Sequence, residues 1–126
     1  MSPSLTSIFL VCSNLHSSLN FYQGLGFALK TRKSRSFVLS AGRDLELHLH
    51  DRLTPEEQQR FQVAGGASGT NLVHSFLVER LDSVRERVPS ECVLFGPEVT
   101  DWGQRLLLVK DPDGHRLEFR ERDPAQ

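Results

Sequence analysis

Hydrophobic residues recur along this chain with two periods. Leu45, Leu47 and Leu49 alternate with Glu46, His48 and His50, and Leu117 and Phe119 alternate with Arg116, Glu118 and Arg120. A period of two sends successive side chains to opposite faces, so both stretches are predicted strands with one apolar and one polar side. Leu15, Leu19, Tyr22 and Leu25 instead carry helical spacing. Asn14 offers an N-cap ahead of them, and Gly24 and Gly26 end the segment, with Gly26 the better candidate for a left-handed C-cap position.

Laid out in order, these patterns repeat. Leu5 to Val11 reads as a strand before the first helix, and Phe27 to Lys33, Arg35 to Ser40 and Leu45 to His50 read as three strands after it, with 41–44 as a hairpin turn. Residues 51–69 read as a linker with a short helix, because Thr54-Pro55-Glu56-Glu57 is a capped helix start and the run from Ala64 to Gly69 is rich in glycine and serine. A strand at 71–78 follows. Leu81, Val84 and Val88 then mark a helix that must end before Pro89. Cys92 to Phe95, Arg105 to Val109 and His115 to Glu121 complete three more strands, with Gly96-Pro97 leaving the end of the first of them open. The expected fold class is therefore α+β: two βαβββ modules, about 5–50 and 70–122, in a single domain. Each sheet covered on one face by a helix leaves its other face free, and two such faces can form a concave cleft that encloses a ligand.

Composition narrows the partners. A chain of 126 residues suits one domain, and 38% hydrophobic with 25% charged residues is ordinary for a soluble protein. A net charge of −1 gives no reason to expect nucleic acid or an anionic membrane. The start Met-Ser-Pro-Ser lacks the basic and apolar regions of a signal peptide, and no apolar run approaches a bilayer span, so the expected compartment is the cytoplasm and the expected partner a small molecule. Cys12 and Cys92 have no metal-binding spacing and are expected to be small core residues. The sequence contains no G-x-S-x-G, P-loop or H-E-x-x-H pattern, which removes support for nucleophilic hydrolysis, nucleotide binding and zincin chemistry.

Two motifs point further. Asp111-Pro112-Asp113-Gly114 is a sharp turn between predicted strands and runs on into His115-Arg116-Leu117-Glu118-Phe119, while residues 18–27 carry S-x-x-F-Y-x-x-L-G-F. Together they resemble the vicinal-oxygen-chelate superfamily, which contains glyoxalase I, extradiol dioxygenases, fosfomycin-resistance proteins and bleomycin-resistance proteins. The resemblance covers nearly the whole chain, and Asp101-Trp102-Gly103 looks most like the bleomycin-resistance branch. It implies a homodimer. It also implies metal ligands from the first and last strands of each module, which here would be Ser7, Glu46, Val73 and Glu118. Neither Ser7 nor Val73 can supply an imidazole or carboxylate, so no cofactor is expected. If a divalent metal were present, Glu46, Glu118 and His74 would be its candidates, although His74 lies one residue from the expected position and should face the helix layer.

The remaining chemistry gathers on the polar faces. Glu46, His48 and His50 form a row that can bind metal, act as an acid/base relay or line a wet cleft. Trp102 can stack on a ligand ring or pack at a dimer contact, and Arg116 and Arg120 can neutralise Glu118 or meet an anionic substrate. His16 is expected on a helix surface and His115 beside a turn, both solvated. Two carboxylates favour a ligand with a cationic or hydrogen-bond-donating part. The reading that follows is a binder of a small amphipathic or aromatic molecule through Glu46, His48, His50, Trp102, Glu118 and Arg116, without metal. The alternatives are a divalent-metal lyase, isomerase or dioxygenase with an atypical ligand set, and a non-catalytic interaction module.

Overall fold

The alternation in Leu45 to His50 resolves as the sequence pattern requires: Leu47 and Leu49 are fully buried, and Glu46, His48 and His50 are only partly covered. In the computed structural model, which describes residues 5–62, 72–100 and 103–121, this segment is strand β4 (Glu46–His50) of a four-stranded sheet. The others are β1 (Ser7–Val11), β2 (Ala28–Arg32) and β3 (Ser36–Ser40), in the order β1-β4-β3-β2. β1 runs parallel to β4, and the remaining pairs are antiparallel. A parallel partner cannot be reached by a tight turn, and the crossover is α1 (Leu15–Gly24).

Local chemistry sets the ends of α1. The Asn14 side chain accepts a hydrogen bond from Ser17 N at 3.0 Å, satisfying one of the first-turn donors, and Gly26 follows the helix with φ of 103°. Leu19 and Tyr22 bury one stripe of the helix against β3 and β4. There they meet Leu47 and Leu49, with Ile8, Leu10, Phe37 and Leu39 beside them in register. Each fully buried leucine contributes about 1.5–3 kcal/mol, so this apolar side holds the module together. The opposite side of the sheet carries Glu46, His48, His50 and Phe9 together with Val11 and a buried Val38.

The second unit repeats the plan. β5 (Val73–Val78), β6 (Val93–Val99), β7 (Arg105–Lys110) and β8 (Arg116–Glu121) form a sheet in the order β5-β8-β7-β6, with β5 parallel to β8. The crossover helix is here α3 (Leu81–Arg87), preceded in the chain by the short α2 (Pro55–Phe61). Leu81, Val84 and Val88 bury against a layer that contains Leu107, Val109, Leu117 and Phe119. The chain divides into the units Met1–Ser68 and Gly69–Gln126, each with its own sheet and crossover helix.

Two details depart from the sequence reading. β6 does not stop at Phe95 but continues to Val99 through Gly96-Pro97, with register shifts on either side of Phe95 that absorb the irregular residues. His115, expected to be solvated, is only 7% exposed. The cause is the turn before it. Asp111 is itself buried, and its Oδ1 accepts hydrogen bonds from Asp113 N at 2.9 Å and His115 N at 2.8 Å, which folds the tetrad inward and carries His115 with it. His16 is exposed as expected, with its ring edge-on to Phe37. Cys12 is fully buried, whereas Cys92 is only partly so.

Candidate functional site

On the first sheet the exposed face is organised by β4. Glu46, His48 and His50 stand on it, with Ser7 and Phe9 in register on β1, and Ser40 and a buried Val38 on β3. Glu46 is the electrostatic centre. One of its oxygens receives the ammonium of Lys30 from β2, and the other lies 3.1 Å from Nε2 of His48. The hydrogen bond from Lys30, followed by that from His48, holds the Glu46 carboxyl below its ordinary value. It is therefore ionised at neutral pH and can only accept, so Nε2 of His48 carries the hydrogen and donates it. Beside this cluster a recess of about 270 Å³ opens among Thr6, Lys30, Ser40, Arg43, Asp44 and Glu46.

The other end of the row is aromatic. The Phe9 ring lies 5.2 Å from that of His50 and 6.1 Å from that of Phe61, at the last turn of α2. Phe9 is 49% exposed and Phe61 54% exposed, so together they form an apolar ledge open to solvent. The start of α2 is fixed by a capping box in which Thr54 Oγ1 accepts from Glu57 N at 3.2 Å and Glu57 Oε1 accepts from Thr54 N at 2.8 Å. That backbone hydrogen bond, aided by Arg35, holds the Glu57 carboxyl low. His50 Nδ1 lies 2.7 Å from the Asp51 carbonyl and Nε2 lies 3.9 Å from Glu57. Sequence reasoning missed both Lys30 and Phe61. The bulge between Leu29 and Thr31, which turns Lys30 toward Glu46, has no local signature, and a single exposed phenylalanine after a polar helix carries none either.

The second sheet presents a different face. Glu118 Oε1 accepts from Ser75 Oγ at 3.1 Å and lies 3.6 Å from Nε of Arg120, while Arg116 turns to the Gly114 carbonyl at 2.7 Å. Around them are exposed Val73, Leu77 and Phe95. The register sets Val73 apart from Ser7. Val73 pairs with Arg116, and it is Ser75 that stands opposite Glu118, as Ser7 stands opposite Glu46. The shift is two residues, so the face is unchanged, and the two units carry the same serine and glutamate pair. His74 lies on the other side, in register with buried Leu117. Its Nδ1 is buried without a hydrogen-bond partner, and burial, followed by the nearby His115, holds its ring below the ordinary histidine value. Trp102 lies outside the described residues.

Both carboxylates thus have a cation of their own chain beside them, and the preference for a cationic ligand drawn from their bare charge does not carry over. Each glutamate faces a serine, His74 is on the wrong side of its strand, and among the described residues no three His, Cys, Asp or Glu side chains gather as a metal would need. No described helix is long and apolar enough to cross a membrane.

Residues 4–119 match the family model of the Glyoxalase/Bleomycin resistance protein/Dioxygenase superfamily. No curated protein sequence matches the chain. Among solved structures, a glyoxalase-related enzyme from Fulvimarina pelagi is similar with a TM-score of 0.78 and 22% identity, over 94% of this chain and 88% of that one. TnmS3, an antibiotic binding protein from Streptomyces sp. CB03234, gives a TM-score of 0.72 and 21% identity, over 97% and 98%. A bleomycin-binding protein complexed with bleomycin gives 0.66 and 20%, over 97% and 100%. At these identities the likeness is one of fold.

Proposed function

Because the chain belongs to the glyoxalase/bleomycin resistance protein/dioxygenase superfamily, we propose that it binds a small amphipathic or aromatic molecule on the exposed faces of its sheets without a metal ion. The observation that carries this reading is the state of the two glutamates. Glu46 is engaged by Lys30 and His48, and Glu118 by Ser75 and Arg120, so the carboxylates act as fixed polar groups of the wall and not as spare ligands for a cation. A pocket gains affinity from apolar contact and orientation from a few placed polar groups, and the first sheet offers both: the Phe9 and Phe61 ledge, and the Lys30-Glu46-His48 cluster. Structural neighbours described as bleomycin-binding and antibiotic-binding agree with a binder of this kind.

The test is calorimetric titration of chelator-treated protein with metal-free bleomycin and with a panel of simple aromatic compounds. Saturable binding of at least one of them should persist in the presence of chelator, and Phe9→Ala should weaken it by about 1 kcal/mol, the worth of an aromatic contact. Binding that appears only after iron, nickel or zinc is added would favour the metal-enzyme reading instead.

A further inference from the structure

We infer that His48 makes the aromatic face of the first sheet selective for phenols, that is, for neutral aromatic molecules carrying an acidic hydroxyl beside the ring. The inference rests on the binding reading above and names the ligand class. Its starting point is the proton inventory of His48. One oxygen of Glu46 accepts from the Lys30 ammonium and the other faces Nε2 of His48 at 3.1 Å, so this carboxylate accepts on both sides and Nε2 is the donor. In the neutral ring the other nitrogen must then carry a lone pair, because a neutral imidazole has one donor and one acceptor. Among the described residues Nδ1 of His48 has no hydrogen-bond partner and, unlike Nδ1 of His74, it is not among the buried unpaired atoms. It is an acceptor open to solvent, held in a fixed tautomer.

What surrounds it selects the donor. Phe9 is the register partner of His48 on β1 and its ring turns toward His50 and Phe61, so the ledge has His48 as its cross-strand neighbour, within reach of a hydroxyl on a ring that rests there. An ammonium group is poorly served there, since the ammonium of Lys30 stands on the same carboxylate and each oxygen of Glu46 already accepts a hydrogen bond. A carboxylate would meet the charge of Glu46 and the lone pair of His48. A phenol avoids both conflicts: its ring supplies the apolar contact and its hydroxyl donates to Nδ1. His48 is 28% exposed, so water can replace a missing hydroxyl and the discrimination stays modest, about tenfold, the worth of one ordinary hydrogen bond.

The experiment compares 2-naphthol with 2-methoxynaphthalene, which keeps the rings and loses the donor, at about pH 8, where an ordinary imidazole is neutral. Wild-type protein should bind the naphthol about tenfold more tightly than the ether. In His48→Phe, which retains a ring but no acceptor, the two should bind alike. Glu46→Gln, whose amide can either donate or accept and so no longer fixes the tautomer, should reduce the ratio. Equal binding of the two compounds to wild type, with both weakened in Phe9→Ala, would overturn the phenol inference and leave the aromatic ledge standing. Discrimination that survives in His48→Phe would also overturn it, and a full ratio in Glu46→Gln would remove the tautomer argument. Failure of both compounds to bind would overturn the phenol inference, and the binding reading would then stand or fall on bleomycin and the wider aromatic panel.

Discussion

Replacing Gly96 by alanine should destabilise the second unit more than any other exchange of glycine for alanine at the β6–β7 connection. Gly96 sits at φ of +88°, where an L residue is strained, and a Cβ built there would lie 2.9 Å from Glu98 N and closer still to the carbonyl oxygen of Leu106. Both obstacles are backbone atoms of the paired strands, which cannot swing aside as a side chain can. The backbone conformation costs about 1–2 kcal/mol, and forcing atoms into a filled space costs about 1–3 kcal/mol more. Gly103 is the control, since its φ is +85° but nothing lies within 4 Å of the added atom, so only the first cost applies. With a urea slope of about 2 kcal/mol per molar, the unfolding midpoint should fall by about 1.5 M for Gly96→Ala and about 0.7 M for Gly103→Ala. Circular dichroism against urea measures both. Equal midpoints would mean that the β6–β7 pairing relaxes around the new methyl, and the close approach at Leu106 would not be a constraint on the fold.

The remaining expectations concern charge and core. His74 has its folded value lowered from 6.5, so the unfolded chain takes up its proton first as pH falls. Stability should therefore decline on acidification from about pH 6.5 down through the lowered folded value, and His74→Phe should flatten that slope in thermal melts taken across the range. Lys30→Met removes the group that most lowers Glu46, and the carboxyl should titrate closer to its ordinary value by carbon NMR. No change would show that Lys30 is not engaged in solution. Leu117→Ala, at a fully buried position in the centre of the second sheet, should cost about 2–5 kcal/mol by denaturant unfolding.

How far the sequence spoke depended on whether a signal was local. The alternation in β4 and β8, the Asn14 cap and the Thr54 capping box are local, and the elements they announce stand where the sequence puts them. Parallel register is not local. Which residue of β5 faces Glu118 is decided by pairing with a strand far along the chain, and Ser75 takes that place. The burial of His115 follows from how Asp111 spends its carboxylate on two backbone donors, a choice the D-P-D-G letters allow but do not specify. At the site, the Glu46, His48 and His50 row was visible as a period of two. Its partners were not, because Lys30 arrives through a bulge in β2 and Phe61 from a helix outside both sheets.

The central claim, that the exposed face of the first sheet takes an aromatic ligand without metal, is tested most directly by amide chemical-shift mapping on nitrogen-labelled, chelator-treated protein titrated with 2-naphthol. The account predicts that the resonances of Phe9, His48, His50 and Phe61 shift together along one saturating curve that chelator does not alter. Shifts confined to other residues, or shifts that appear only when zinc is supplied, would contradict it.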